Sequence, residues 1–91
     1  MRSDLVKLRN IGAKSAAKLA DIGVTSSAQL AEIGAVEAYR RLRSQRDVNI
    51  AMLWALQGAL LDLPWYDLPP DIKGALLDEL AEQPPVSEEQ F

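Results

Sequence analysis

The chain has 91 residues, no cysteine, no histidine and a net charge of −3, which makes it one small domain. It has no disulfide framework, no thiolate or imidazole metal site, and no histidine for acid–base catalysis. With 48% apolar and 25% charged residues it holds enough apolar side chains to fold.

The charge is unevenly divided. Residues 1–46 carry +5 and residues 47–91 carry −8. Such a split is expected either of two surfaces with different partners or of two halves that complement each other, within one molecule or between two. Met1-Arg2-Ser3-Asp4 runs into mixed apolar and basic residues, not into a signal-peptide apolar run. The longest apolar stretch, Ile50–Leu61, is too short to span a bilayer and is interrupted by Gln57. A soluble, cytoplasmic protein with no membrane partner is the expectation.

Taken in chain order, helix is the regular structure that the pattern supports. Leu8-Arg9-Asn10-Ile11-Gly12-Ala13-Lys14-Ser15-Ala16 places a polar turn and Ile-Gly before a lysine and small residues that open a helix over 14–22. Leu19-Ala20-Asp21-Ile22-Gly23 recurs eleven residues on as Leu30-Ala31-Glu32-Ile33-Gly34, each copy ending in a helix-closing glycine. Thr25 or Ser26 is placed to cap a second helix over 27–33. A third runs from 35 to about 44, with Ala35, Tyr39 and Leu42 on one face and Glu37 opposite Arg41.

Residues 48–61 are apolar nearly all round, as expected of a helix in the middle of the fold, with Gly58 admitting a close neighbour. Pro64, Pro69 and Pro70 enforce a turn over 63–70. A last helix follows from Pro70 to about residue 82, with Ile72, Ala75, Leu76 and Leu80 as its buried stripe. Residues 1–83 read as a single domain, and Pro84-Pro85 opens an acidic tail over 84–91 expected to be loose. The fold class is all-α: a small bundle of about five or six short helices.

The stretch 8–19 resembles the helix-hairpin-helix motif. Unpaired amides at a helix N-terminus, the helix dipole and a glycine that admits close approach together make an anion site. Lys14 adds charge, and Lys18 lies one turn further on the same side. In proteins with this motif the hairpin grips DNA backbone without reading sequence, as phosphate contacts generally do. Two residues depart from the motif: Asn10 stands where its first glycine is usual, and Ala13 replaces a frequent proline. The alternative is a hairpin that only packs one helix on the next, with Ile11 as its buried plug.

Beyond the hairpin, several ungapped blocks are similar to the C-terminal domain of the TfoX/Sxy competence regulators. They are Leu19-Ala20-x-Ile22-Gly23-Val24, Leu30-x-x-Ile33-Gly34-Ala35-Val36-Glu37-Ala38-Tyr39-Arg40-Arg41-Leu42, Asn49-x-x-Met52-Leu53-Trp54-Ala55-Leu56-Gln57-Gly58-Ala59-Leu60 and Trp65-x-x-Leu68-Pro69. The likeness covers about residues 5–80 in the family's order. It implies regulation of competence-gene transcription, not catalysis, with a catabolite-activator-type protein as the DNA-bound partner in some bacteria. Because the chain opens on Met1 without the N-terminal domain that often precedes this one, a stand-alone module is expected.

Candidate nucleic-acid contacts are therefore Arg9, Asn10, Gly12, Lys14 and Lys18 at the hairpin, with Arg40, Arg43 and Arg46 at the end of the third helix. More often, arginines so placed are simply cations in a helix's last turn, where the dipole favours them. Candidate protein-docking residues are Trp65 and Tyr66 in the proline turn and Asp71, Asp78 and Glu79 on the acidic last helix. Trp65 is expected to pack into the core and Tyr66 to face solvent, and a solvated face is the default reading of the acidic helix. No catalytic residue, metal ligand, cofactor or small-molecule substrate is expected: Ser15, Ser26, Ser27 and Ser44 have no histidine to activate them, and no P-loop or dinucleotide fingerprint occurs. Five aromatic residues are too few for a stacking platform for single strands. A DNA-contacting regulator and a protein-interaction or homodimerising module are the two functional expectations.

Overall fold

Glycines, prolines and capping side chains divide an otherwise helical chain. In the structure, a computed structural model that describes residues 4–82, four α-helices and two 3-10 turns follow one another, with no strand among the described residues. A 3-10 turn at Leu5–Lys7 leads to α1 (Ala13–Asp21), α2 (Ser27–Gln45) and α3 (Ile50–Leu61). A second 3-10 turn at Trp65–Asp67 then leads to α4 (Pro70–Glu82). The all-α bundle expected from the sequence is found. The tail over 84–91 lies outside the described residues.

Each boundary has a local cause. α1 ends in a Schellman motif: the Gly23 amide donates to the Ala20 carbonyl at 3.0 Å and the Val24 amide to the Leu19 carbonyl at 2.9 Å. Val24 and Leu19 are both buried, which supplies the apolar contact that accompanies such ends. α2 starts at Ser26, whose hydroxyl accepts from the Gln29 amide at 3.1 Å, while the Gln29 side chain accepts from the Thr25 amide at 2.7 Å. Asp4 reaches across from the first 3-10 turn and accepts from both the amide and the hydroxyl of Ser27, each at 2.7 Å. The hydroxyl bond first, then the amide bond, holds its carboxyl below the ordinary value of 3.8.

The helices expected over 27–33 and 35–44 are the two arms of α2. They meet at Gly34, whose φ of 86° and ψ of 163° break the helical path. α3 begins at Ile50, two residues later than the apolar pattern indicates, because Asn49 is its cap and accepts from the Ala51 amide at 3.0 Å.

α2 is the hub, packed against α1, α3 and α4, while the Trp65–Asp67 turn lies against α3. Leu5, Leu19, Leu30, Leu42, Leu53 and Leu56 are fully buried between these elements. Each contributes roughly 1.5–3 kcal/mol by leaving water. The ion pairs Arg9–Asp62, Arg41–Glu37 and Arg46–Asp21 are exposed. Such pairs contribute about 0–1 kcal/mol each, so the leucine core and not charge pairing holds the fold. Two expectations are corrected. α3 is not enclosed, since Ile50 and Leu61 at its ends are exposed. On α4, Ala75 is exposed and Leu76 is the fully buried member of the stripe, with Ile72 and Leu80 half-buried, because α4 packs mainly on one neighbour, α2.

Candidate nucleic-acid interface

The hairpin from Leu8 to the first turn of α1 is built around two residues that face opposite ways. Ile11 is buried, as a plug should be, and its amide donates to the Leu8 carbonyl at 3.2 Å. Gly12 is the N-cap of α1, in extended backbone, and no side chain closes this helix end. The first-turn amides are therefore open, whereas Ser26 and Asn49 occupy the corresponding positions of α2 and α3.

Asn10 has a φ of 73°, the left-handed conformation that the motif's usual glycine would take. Its side chain turns inward. Nδ2 donates to the Leu63 carbonyl at 2.9 Å and the Ala55 carbonyl at 3.3 Å, and Oδ1 accepts from the Trp65 amide at 3.1 Å. Beside it, Arg9 Nε donates to Asp62 at 3.3 Å, and Asp62 is itself left-handed with a φ of 61°. Gly58 leaves the room: a Cβ there would lie 2.5 Å from both Asn10 Nδ2 and the Leu63 carbonyl oxygen. The hairpin turn is thereby clasped to the chain that leaves α3.

These contacts sort the basic residues named from the sequence. Arg9 is held by Asp62. Arg46 is held by Asp21 at 2.6 Å, and Arg43 lies over the Tyr39 ring at 5.4 Å. Arg40 is half-buried on α2. Lys14 is exposed and Lys18 half-buried on α1, and neither makes an ion pair or hydrogen bond among the described residues. The hairpin thus brings Gly12, Lys14 and Lys18 together at an uncapped helix start, while the arginine cluster at the end of α2 is largely engaged within the chain.

A repeat at twenty-two residues, not the eleven-residue one, explains why only one turn has this character. Leu8-x-x-Ile11-Gly12-Ala13-x-x-Ala16-x-Lys18 aligns with Leu30-x-x-Ile33-Gly34-Ala35-x-x-Ala38-x-Arg40. In the second copy Lys14 is replaced by Val36, which is buried, and Asn10 and Ser15 by Glu32 and Glu37. There Gly34 lies at the break inside α2, and Glu37 is paired with Arg41.

On the acidic side, Trp65 is 44% and Tyr66 67% exposed, their rings edge-on at 5.8 Å. Core burial of Trp65 is therefore corrected: the 3-10 turn lays its ring along α3 instead of beneath the prolines. Asp71, Asp78 and Glu79 are exposed on α4. No group of three or more carboxylates converges on a point suited to a metal among the described residues. Nor is any helix there long and apolar enough to cross a membrane.

Comparison with known proteins agrees with this architecture. Two solved structures from Listeria monocytogenes share the fold. An uncharacterised protein in a triclinic crystal form is 28% identical, with a TM-score of 0.77 over 87% of this chain and 94% of that one. A protein of unknown function in a tetragonal form is 29% identical, with a TM-score of 0.76 over 81% and 93%. No curated protein matches the chain. The family model of the TfoX C-terminal domain matches residues 1–80. The chain therefore belongs to the TfoX C-terminal domain family.

Proposed function

We propose that this domain is a non-enzymatic regulatory module that holds nucleic-acid backbone at the hairpin, in the service of competence-gene transcription. The observation that carries the reading is the pair of unengaged lysines, Lys14 and Lys18, on the first two turns of a helix whose N-terminus is uncapped. Open amides, dipole and lysine ammonium act on the same side, and a phosphate is the ligand such a site takes. The contact is small and sequence-independent, because nothing at the turn is shaped to read base edges in a groove. Regulation then comes from the company the domain keeps, with a DNA-bound transcription regulator as partner.

Fluorescence anisotropy with a random labelled duplex tests this. Two to three phosphate contacts predict about a 12- to 40-fold loss of affinity between roughly 50 and 200 mM salt. The double variant Lys14→Glu/Lys18→Glu is expected to abolish binding while the fold is retained. Binding that survives the double variant would sink the hairpin reading.

The exposed Trp65–Tyr66 pair supports a second reading, docking on a protein or on a second copy of the chain. It predicts no duplex binding at moderate salt and a stable dimer or complex by light scattering.

A further inference from the structure

Beside the hairpin an open cleft of about 400 Å³ runs between α1, the start of α3 and the Trp65–Asp67 turn. This volume is within the range of roughly 300–1,000 Å³ typical of small-ligand sites. Its apolar wall is Trp65, Met52 and Ala55, and its polar edge is Lys18, Asp47 and Asn49. Trp65 is half exposed, and Tyr66 lies edge-on against it at 5.8 Å and 84°, which leaves the indole face open to a flat ligand. The Trp65 amide is held by Asn10, the residue that shapes the hairpin turn. One clasp therefore ties the backbone of Trp65 to the hairpin turn, and Trp65 and Lys18 line the same cleft.

We infer that this cleft takes one unpaired nucleobase, stacked against Trp65, from a single strand of DNA whose phosphates pass Lys18 and Lys14. The inference rests on the reading of the hairpin as a phosphate site and names its ligand more closely. Lining chemistry carries it: an apolar and aromatic wall suits a planar base, and an ammonium beside it suits the phosphate on that base. One base needs one ring, so the scarcity of aromatic residues does not count against a single stacking position.

Asp47 selects among bases. A carboxylate only accepts hydrogen bonds, so it favours a base that presents an exocyclic amine, such as the N4 group of cytosine. Thymine presents a carbonyl oxygen at the equivalent position and is disfavoured.

The test compares short labelled oligo-dC, oligo-dT and a mixed-sequence duplex at about 50 mM salt. Oligo-dC is expected to bind about ten-fold more tightly than the duplex, as one aromatic stack implies. It should also exceed oligo-dT by about five-fold, as one discriminating contact implies. Trp65→Ala should remove the single-strand preference and leave duplex affinity intact, while Trp65→Tyr keeps most of the preference. Asp47→Asn should bring oligo-dC and oligo-dT together, and circular dichroism confirms that each variant is folded. Salt-sensitive duplex binding with no single-strand preference, or a preference untouched by Trp65→Ala, overturns the cleft inference and leaves the phosphate site standing. No binding to any of the three probes overturns both.

Discussion

Asn10 takes the left-handed conformation that glycine usually supplies at such a turn and adds three hydrogen bonds that glycine cannot make. Each bond is worth about 0.5–1.5 kcal/mol. Asn10→Gly keeps the backbone and loses the bonds, so urea unfolding is expected to show a loss of about 1–3 kcal/mol. Asn10→Ala adds the strain of a left-handed alanine, about 1 kcal/mol more, and should be the worse variant. The departure from the motif at this position was plain in the sequence. Its purpose was not, because the partners, Ala55, Leu63 and Trp65, are 45 to 55 residues away. Asp4 poses a similar case. Its folded-state pKa is depressed by the Ser27 bonds, so its stabilisation is present above the ordinary value of 3.8 and is lost as pH falls through the folded-state value. Asp4→Asn should melt below wild type at neutral pH, and the two melting curves should converge in acid.

Elements in this chain are set by their ends. The helix start at Ser26 and the stop at Gly23 followed from capping chemistry readable in order along the chain, whereas the apolar pattern placed the start of α3 two residues early, ahead of its Asn49 cap. Gly34 was equally readable as a break, since two short helical patterns meet there. Its ψ of 163° with φ 86° belongs to a region that glycine alone occupies without strain. Gly34→Ala is expected to cost about 1–3 kcal/mol in thermal or urea unfolding, with no new contact to blame. Gly58→Ala should cost a similar amount, about 1–3 kcal/mol, by overpacking against the Leu63 carbonyl and Asn10. The two variants differ in kind: Gly58→Ala forces neighbouring atoms apart, whereas a Cβ at position 34 has nothing within 4 Å and only the backbone is strained. What the pattern missed at this scale was the partial exposure of α3 and α4. A helix of nearly uniform apolarity does not say which side its neighbours cover.

At the scale of the whole molecule the charge asymmetry is partly spent inside the fold. Arg9–Asp62 joins the basic and acidic halves, and Arg46–Asp21 and Arg41–Glu37 close within the basic half. Lys14 and Lys18 remain outside these pairs, so neutralising variants should separate cleanly. Lys14→Gln with Lys18→Gln is expected to lower the salt dependence of duplex binding by a slope of about 2, whereas Arg46→Gln should leave the slope nearly unchanged. Composition, periodicity and end-capping were enough to establish an all-α domain, its helix boundaries within a residue or two, and the hairpin with its family likeness. Each of these depends on residues close in the chain, where helix geometry and capping act. Which cations stay unengaged and which aromatic ring faces a cleft depend on contacts between residues far apart. Those contacts exist only once α1, α3 and the Trp65–Asp67 turn have packed against one another.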